Sequence, residues 1–283
     1  MQQKPPVVIN DHPEIHQGGD GPPLVLLHGL GGSWHIWKPV IARLEEKFHV
    51  VALTVPGHPG GEALADTQGV SVARLADQLL VQLRGLGFES AHVAGNSLGG
   101  WLAVELARRG FARSLTLLSP AGAWTTEKDF RSLVRSLLIP YFLMPVMRVI
   151  AWLFGGLAGV RRTLGASLME HGERLSRTTL LDMLRRFSHT RMMRPLFANA
   201  HRSGPIEPLP APGIPVHIAW GGKDKVLPFD RYGAPFVARI GGAGFIKLEN
   251  AGHVPMYDAP DEVAGIIAAT CDQCRTETVA RSA

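Results

Sequence analysis

Hydrophobic residues in this chain fall into short unbroken runs that stop at glycine-rich turns. Leu24-Val25-Leu26-Leu27 runs into His28-Gly29-Leu30-Gly31-Gly32, and Val50-Val51-Ala52-Leu53 leads to the Pro56–Gly61 loop. Ala91-His92-Val93-Ala94 runs into Gly95-Asn96-Ser97-Leu98-Gly99-Gly100, and Leu115-Thr116-Leu117-Leu118 stops at Ser119-Pro120. Farther on, Pro215–Trp220 ends at Gly221-Gly222, and Phe245-Ile246-Lys247-Leu248 ends at Glu249-Asn250. Runs this short, without apolar–polar alternation, predict strands buried on both faces, as in a parallel sheet.

Between these runs the period changes. Ser71 is the expected N-cap of a helix over 72–84, where Val72, Leu75, Leu79, Leu80 and Leu83 form one stripe. Leu98, Leu102 and Leu106 recur at fourfold spacing, and Pro260-Asp261-Glu262 makes a favourable first turn for a helix over 260–272. Residues 275–283 read as a frayed tail. Strand alternating with helix predicts an α/β fold, a mostly parallel sheet flanked by helices. Right-handed crossovers would then gather the loops leaving the strands along one edge. The stretch from about 122 to 205 breaks this rhythm; it holds no strand pattern and reads as a helical insertion over that edge.

Composition sharpens the picture at a few points. With 46% hydrophobic and 19% charged residues, the chain can bury a large core and is not intrinsically disordered. Its net charge of +5 is concentrated in the insertion, since Trp124–Arg202 carries 13 Lys/Arg and 5 Asp/Glu. No basic cluster alternates with aromatics and no nucleic-acid motif is present, so no nucleic acid is expected as partner. Two cysteines exclude a disulfide scaffold; Cys271 and Cys274 form a C-x-x-C without a second ligand pair, so neither metal nor cofactor is expected. Residues 1–10 lack an apolar signal region, which makes the cytoplasm the expected location.

The candidate chemistry lies in the turns. Gly95-Asn96-Ser97-Leu98-Gly99 matches G-x-S-x-G between a strand and a helix, a setting that forces the serine into a sharp turn and stands its hydroxyl clear of the sheet edge. A hydroxyl needs a base to become a nucleophile, and that base needs an orienting acid. Among 12 histidines, His253 is best placed, in the loop directly after the 245–248 run, with Gly252 allowing the bend. His49, His92 and His217 lie in or beside strands, and His171, His189 and His201 lie in the insertion. Asp224 follows the 215–220 run at the same edge, whereas Asp230 and Asp258 suit capping or surface positions. Ser119–Gly122 offers no carboxylate. The candidate catalytic set is therefore Ser97, Asp224 and His253.

With His28-Gly29, the elbow at 95–99, Trp220-Gly221-Gly222-Lys223-Asp224 and Ala251-Gly252-His253 in order, the chain resembles the α/β-hydrolase family over nearly its whole length. The resemblance implies a core from residues 1–121 and 206–283, with a helical cap at 122–205 inserted after the sixth strand. It also implies an oxyanion hole from the backbone N–H of Leu98 and that of Leu30, with Gly31 an alternative to Leu30. His28 is expected to shape its loop. Many members carry an aspartate where this chain has Val55, so the Pro56–Gly61 loop is given no catalytic role.

The apolar segment 137–160 is long enough to raise a membrane span, yet Pro140, Pro145, Arg148 and three glycines interrupt it. A lid over an acyl pocket is the preferred reading over a membrane span, with a plain hydrophobic core of the insertion as its equal alternative and contact with a membrane surface not favoured. The flanking Arg131, Arg135, Arg161 and Arg162 read as solvated helix faces, or as partners for anionic headgroups or an acidic substrate group. The expectation is a serine hydrolase cleaving an ester or related acyl bond of a hydrophobic small molecule. Dehalogenases and most epoxide hydrolases of the family use an aspartate nucleophile, against which Ser97 speaks. The alternatives are a carbon–carbon hydrolase of a dienone, whose elbow Gly95–Gly100 resembles but whose usual tryptophan is replaced by Val254, an acyltransferase, or a non-catalytic receptor. Oligomeric state is left open.

Overall fold

Within each buried strand, successive side chains face opposite sides of one sheet. Leu24 and Leu26 pack into one core cluster while Val25 and Leu27 pack into another, and Val50/Ala52 and Val51/Leu53 divide the same way. The unbroken apolar runs are explained by this two-sided burial. The computed structural model describes residues 14–64 and 69–282, so the N-terminal segment read for targeting lies outside the described residues.

The strands are β1 (Ile15–Gly18), β2 (Pro23–Leu27), β3 (His49–Leu53), β4 (Ala91–Asn96), β5 (Ala112–Leu118), β6 (Val216–Gly221) and β7 (Gly244–Leu248). They form one sheet in the order β1-β3-β2-β4-β5-β6-β7, parallel except for β1, which pairs antiparallel with β3. The helices are α1 (Lys38–Glu45), α2 (Val72–Gly85), α3 (Leu98–Arg108), α4 (Glu127–Phe154), α5 (Ala158–Gly165), α6 (Arg177–His189), α7 (Met193–Ser203), α8 (Ala234–Val237), α9 (Pro255–Asp258) and α10 (Pro260–Ser282). α1 and α10 cover one face, and α2 and α3 the other. The expected α/β fold with flanking helices is therefore present.

β1 was not foreseen, and α10 runs to Ser282 where a frayed tail was expected from 275. Ser71 caps α2 as expected, its hydroxyl accepting from the N–H of Arg74 at 3.2 Å. The helical insertion holds α4 to α7 and, counted over the described strands, follows the fifth, β5, where the sixth was expected. It has a small core of its own around Met144, Ala151, Met169 and Leu180.

Strand order reverses beside β2. The chain passes from β2 to β3 on one side, then returns to β4 on the other, and its helices leave toward opposite faces. The loops after β2 and β4 therefore separate and leave a crevice at the strand ends, where ligands bind in open α/β sheets.

Candidate active site

Ser97 joins β4 to α3 with φ 56° and ψ −117°, a left-handed conformation that a non-glycine residue holds only when its surroundings enforce it. They do so here. Its N–H donates to the Leu118 carbonyl at 3.0 Å, and its own carbonyl accepts from Gly100, Trp101 and Ala121. The flanking glycines are required by close approach: a Cβ on Gly95 would lie 2.2 Å from the Gly99 carbonyl oxygen, and one on Gly99 2.2 Å from that of Leu27. The strained turn expected of the G-x-S-x-G motif is present.

Asp224 and His253 meet at the ends of β6 and β7. Asp224 Oδ2 lies 2.7 Å from His253 Nδ1, and Oδ1 accepts from the N–H groups of Val226 at 2.9 Å and Leu227 at 2.7 Å. Both residues are buried, so the carboxylate has fixed partners and the imidazole a fixed orientation. The two loops are laced together, with Gly222 N–H donating to Leu248 O at 2.7 Å and Lys223 N–H to Ala251 O at 2.9 Å.

Three consecutive residues of the histidine loop are pinned. Gly252 N–H donates to Asp258 Oδ2 at 2.8 Å, the His253 carbonyl accepts from Asn96 Nδ2 at 2.8 Å, and Val254 N–H donates to Leu168 O at 2.8 Å. Asn96 also donates to Leu118 O, so the residue before Ser97 ties the serine turn to the histidine loop. Asn96 is not among the candidates from sequence; its polar side chain ending an otherwise apolar strand is the one signal there. Asp258, read as a cap or surface residue, is buried and also accepts from the N–H groups of Glu170 and His171 in the insertion. Gly252 answers to packing more than bending, because a Cβ there would lie 2.8 Å from Met169 Cα.

Ser97 and His253 line one cavity of about 460 Å³, together with Gly29, Leu30 and Gly31. No hydrogen bond joins the Ser97 hydroxyl to His253 among the described residues; in unliganded enzymes such contacts are often long and tighten with substrate. A Cβ on Gly29 would lie 3.0 Å from that of Ser97, which places the post-β2 loop beside the serine. Among the described residues, the N–H groups of Leu30 and Leu98 have no hydrogen-bond partner. Leu98 begins α3, so its N–H is one of the unsatisfied donors of a helix N-terminus. Insertion residues Leu137, Met144, Met147, Leu180, Met183 and Phe187 supply much of the apolar wall.

His28 does shape its loop. Nδ1 lies 2.8 Å from the Gly29 carbonyl and Nε2 accepts the Val55 N–H at 2.9 Å, which fixes one neutral tautomer. Burial, with His58 beside it, pushes its pKa well below the ordinary value. Among the described residues no cluster of side chains suited to a metal is found, and Cys271 and Cys274 are not joined in a disulfide.

Comparison with known proteins places the fold. The model of the alpha/beta hydrolase family matches residues 24–266. An epoxide hydrolase, EphH, of Mycobacterium tuberculosis is 33% identical over 214 residues, covering 72% of this chain and 97% of that protein. The structure of a bacterial membrane phospholipase A superposes with a TM-score of 0.70 at 26% identity, covering 92% of this chain and 82% of the other. A 2-hydroxy-6-oxo-6-phenylhexa-2,4-dienoate hydrolase from a Rhodococcus strain superposes with a TM-score of 0.69 at 19% identity, over 90% of this chain and 93% of the other. From elbow to histidine loop, in sequence and in fold, the chain belongs to the α/β hydrolase family.

Proposed function

We propose that the protein is a serine hydrolase that cleaves the ester or related acyl bond of a hydrophobic small molecule, with residues 122–205 as its cap. The observation that carries this reading is His253, held by buried Asp224, lining the same cavity as the strained Ser97. His253 takes the Ser97 proton as the hydroxyl attacks the acyl carbon, while Asp224 holds the ring and balances its charge. The N–H groups of Leu30 and Leu98 receive the oxyanion. His253 then protonates the leaving alcohol, and water activated by the same ring releases the acid.

The nucleophile's chemistry separates this reading from epoxide opening, despite the similarity to an epoxide hydrolase. A carboxylate that opens an epoxide forms an ester, which water can cleave at the carbonyl. A serine doing the same would form an ether with no carbonyl to attack, and the enzyme would stall. An acyl substrate gives Ser97 a hydrolysable intermediate.

The cavity wall carries methionines and leucines, side chains that adapt to a flexible acyl chain. Each buried methylene contributes about 0.8 kcal/mol, a factor of about four. On a series of aryl esters from acetate to decanoate, kcat/KM is expected to rise by about that factor per carbon until the cavity fills. A preference for acetate would overturn the hydrophobic acyl assignment, and turnover of a dienone but of no ester would overturn ester cleavage.

A further inference from the structure

We infer that the outer face of α4 docks onto the surface of an anionic phospholipid bilayer. Of the twelve exposed large hydrophobic side chains among the described residues, ten lie between Ile139 and Leu157. Phe142, Val146, Trp152 and Leu153 are each more than half exposed. The most apolar 18-residue window of the helix has a mean hydropathy of 1.9, yet only 11% of it is buried. A soluble monomer rarely exposes so continuous an apolar patch without an occupant.

Charge identifies that occupant. Residues 130–169 contain five arginines and neither aspartate nor glutamate. Arg148 and Arg185 line a shallow groove on this face with Pro145, Val149 and Trp152; its one carboxylate, Asp182, is held by Arg186 at 2.8 Å. The Arg194 guanidinium stacks over Phe142 at 5.0 Å, and Arg177 donates to the Trp152 carbonyl. Apolar and aromatic side chains bordered by arginine match an interface whose lipid tails lie beneath anionic headgroups. A second copy of the chain meeting this face about a two-fold axis would bring the same arginines together.

The helix lies on the bilayer and does not span it. Its other side is committed to protein: Leu137, Pro140, Met144 and Met147 line the cavity, and Ala151 is fully buried. One helix thus separates the cavity from the proposed lipid surface.

Vesicle co-sedimentation of the full chain tests this. Binding is expected to vesicles of phosphatidylcholine with a third phosphatidylglycerol, and should weaken by an order of magnitude or more in high salt or without the anionic lipid. The surface variant Trp152→Ser/Leu153→Ser should lose binding at least tenfold, and Arg148→Gln/Arg185→Gln should lose the anionic preference by about fivefold per arginine. Both should keep their circular dichroism spectrum and their turnover of a soluble short-chain ester. Ser97→Ala should bind vesicles like the parent, which separates this inference from the hydrolase assignment. A parent protein that stays in the supernatant with both lipids would overturn it. So would a dimer in light scattering that Trp152→Ser/Leu153→Ser dissociates, since the occupant would then be a second copy.

Discussion

At the scale of single residues, the candidate site depends on contacts that fix main chain as much as on the reacting side chains. Ser97 is bent into a left-handed turn by backbone hydrogen bonds, while Asn96 uses both its amide hydrogens on the carbonyls of Leu118 and His253. Asn96→Leu keeps the branched shape and removes both bonds, leaving the His253 carbonyl without its partner while Leu118 O retains the Ser97 N–H. A displacement of about 1 Å at a reacting centre costs about 10² in rate, so kcat should fall about 10- to 100-fold with KM little changed. An equal loss in a denaturation midpoint without any kinetic effect would make Asn96 structural only. Removing the imidazole in His253→Ala should be far more severe, about 10⁴-fold or more in kcat on an aryl ester. Ser97, Asp224 and His253 were legible because each follows an apolar run at a glycine-rich turn. Asn96 and Asp258 were not, because their importance comes from loops brought near only by the fold.

At the scale of elements, the strand–turn–helix unit of β4 and α3 exists because two glycines let backbones touch. Gly99→Ala would drive a methyl group to 2.2 Å from the Leu27 carbonyl oxygen, and backbone cannot yield as a side chain does. Stability should fall by about 3 kcal/mol or more, read as a lower urea midpoint, with ester turnover falling in parallel. A variant as stable as the parent would contradict the close packing. The buried parallel strands were readable because burial on both faces leaves unbroken apolar runs. β1 was not, since Ile15-His16-Gln17-Gly18 is a short, half-buried edge strand whose identity lies in pairing with β3. The insertion was readable as helix, but the direction its faces point was not. α4 is apolar nearly all round, and only packing shows which side meets the cavity and which meets solvent.

At the scale of the whole molecule, core and insertion share an apolar cluster that includes Trp124, Phe130, Leu133, Met192 and Leu196, and charged contacts fasten its edges. Arg186 of α6 binds Glu14 at 2.8 Å, Asp129 at the start of α4 pairs with Arg231, and Asp258 holds the insertion backbone. Acid should act on the fold through two buried histidines, His28 and His58. His58 is buried against His28, and burial lowers its pKa from 6.5 to about 4. Between those values the unfolded chain binds a proton that the folded chain does not, so stability falls as pH drops through that window. The part of the loss that His58 carries should reach about 2 kcal/mol by pH 5 and be absent above pH 7, with His28 adding to it in the same direction. Chemical denaturation at both pH values in the parent and in His58→Gln checks this. The difference should shrink in the variant, and an unchanged slope would contradict it.

The hydrolase reading requires an accessible serine whose hydroxyl is activated by the histidine across the cavity. Reaction of the folded protein with a fluorophosphonate, followed by intact-mass and peptide analysis, measures that property alone, whatever the natural substrate. One adduct per chain is expected, carried by Ser97, absent in Ser97→Ala and strongly slowed in His253→Ala. A folded parent that remains unlabelled, or an adduct on another residue that persists in Ser97→Ala, would contradict it.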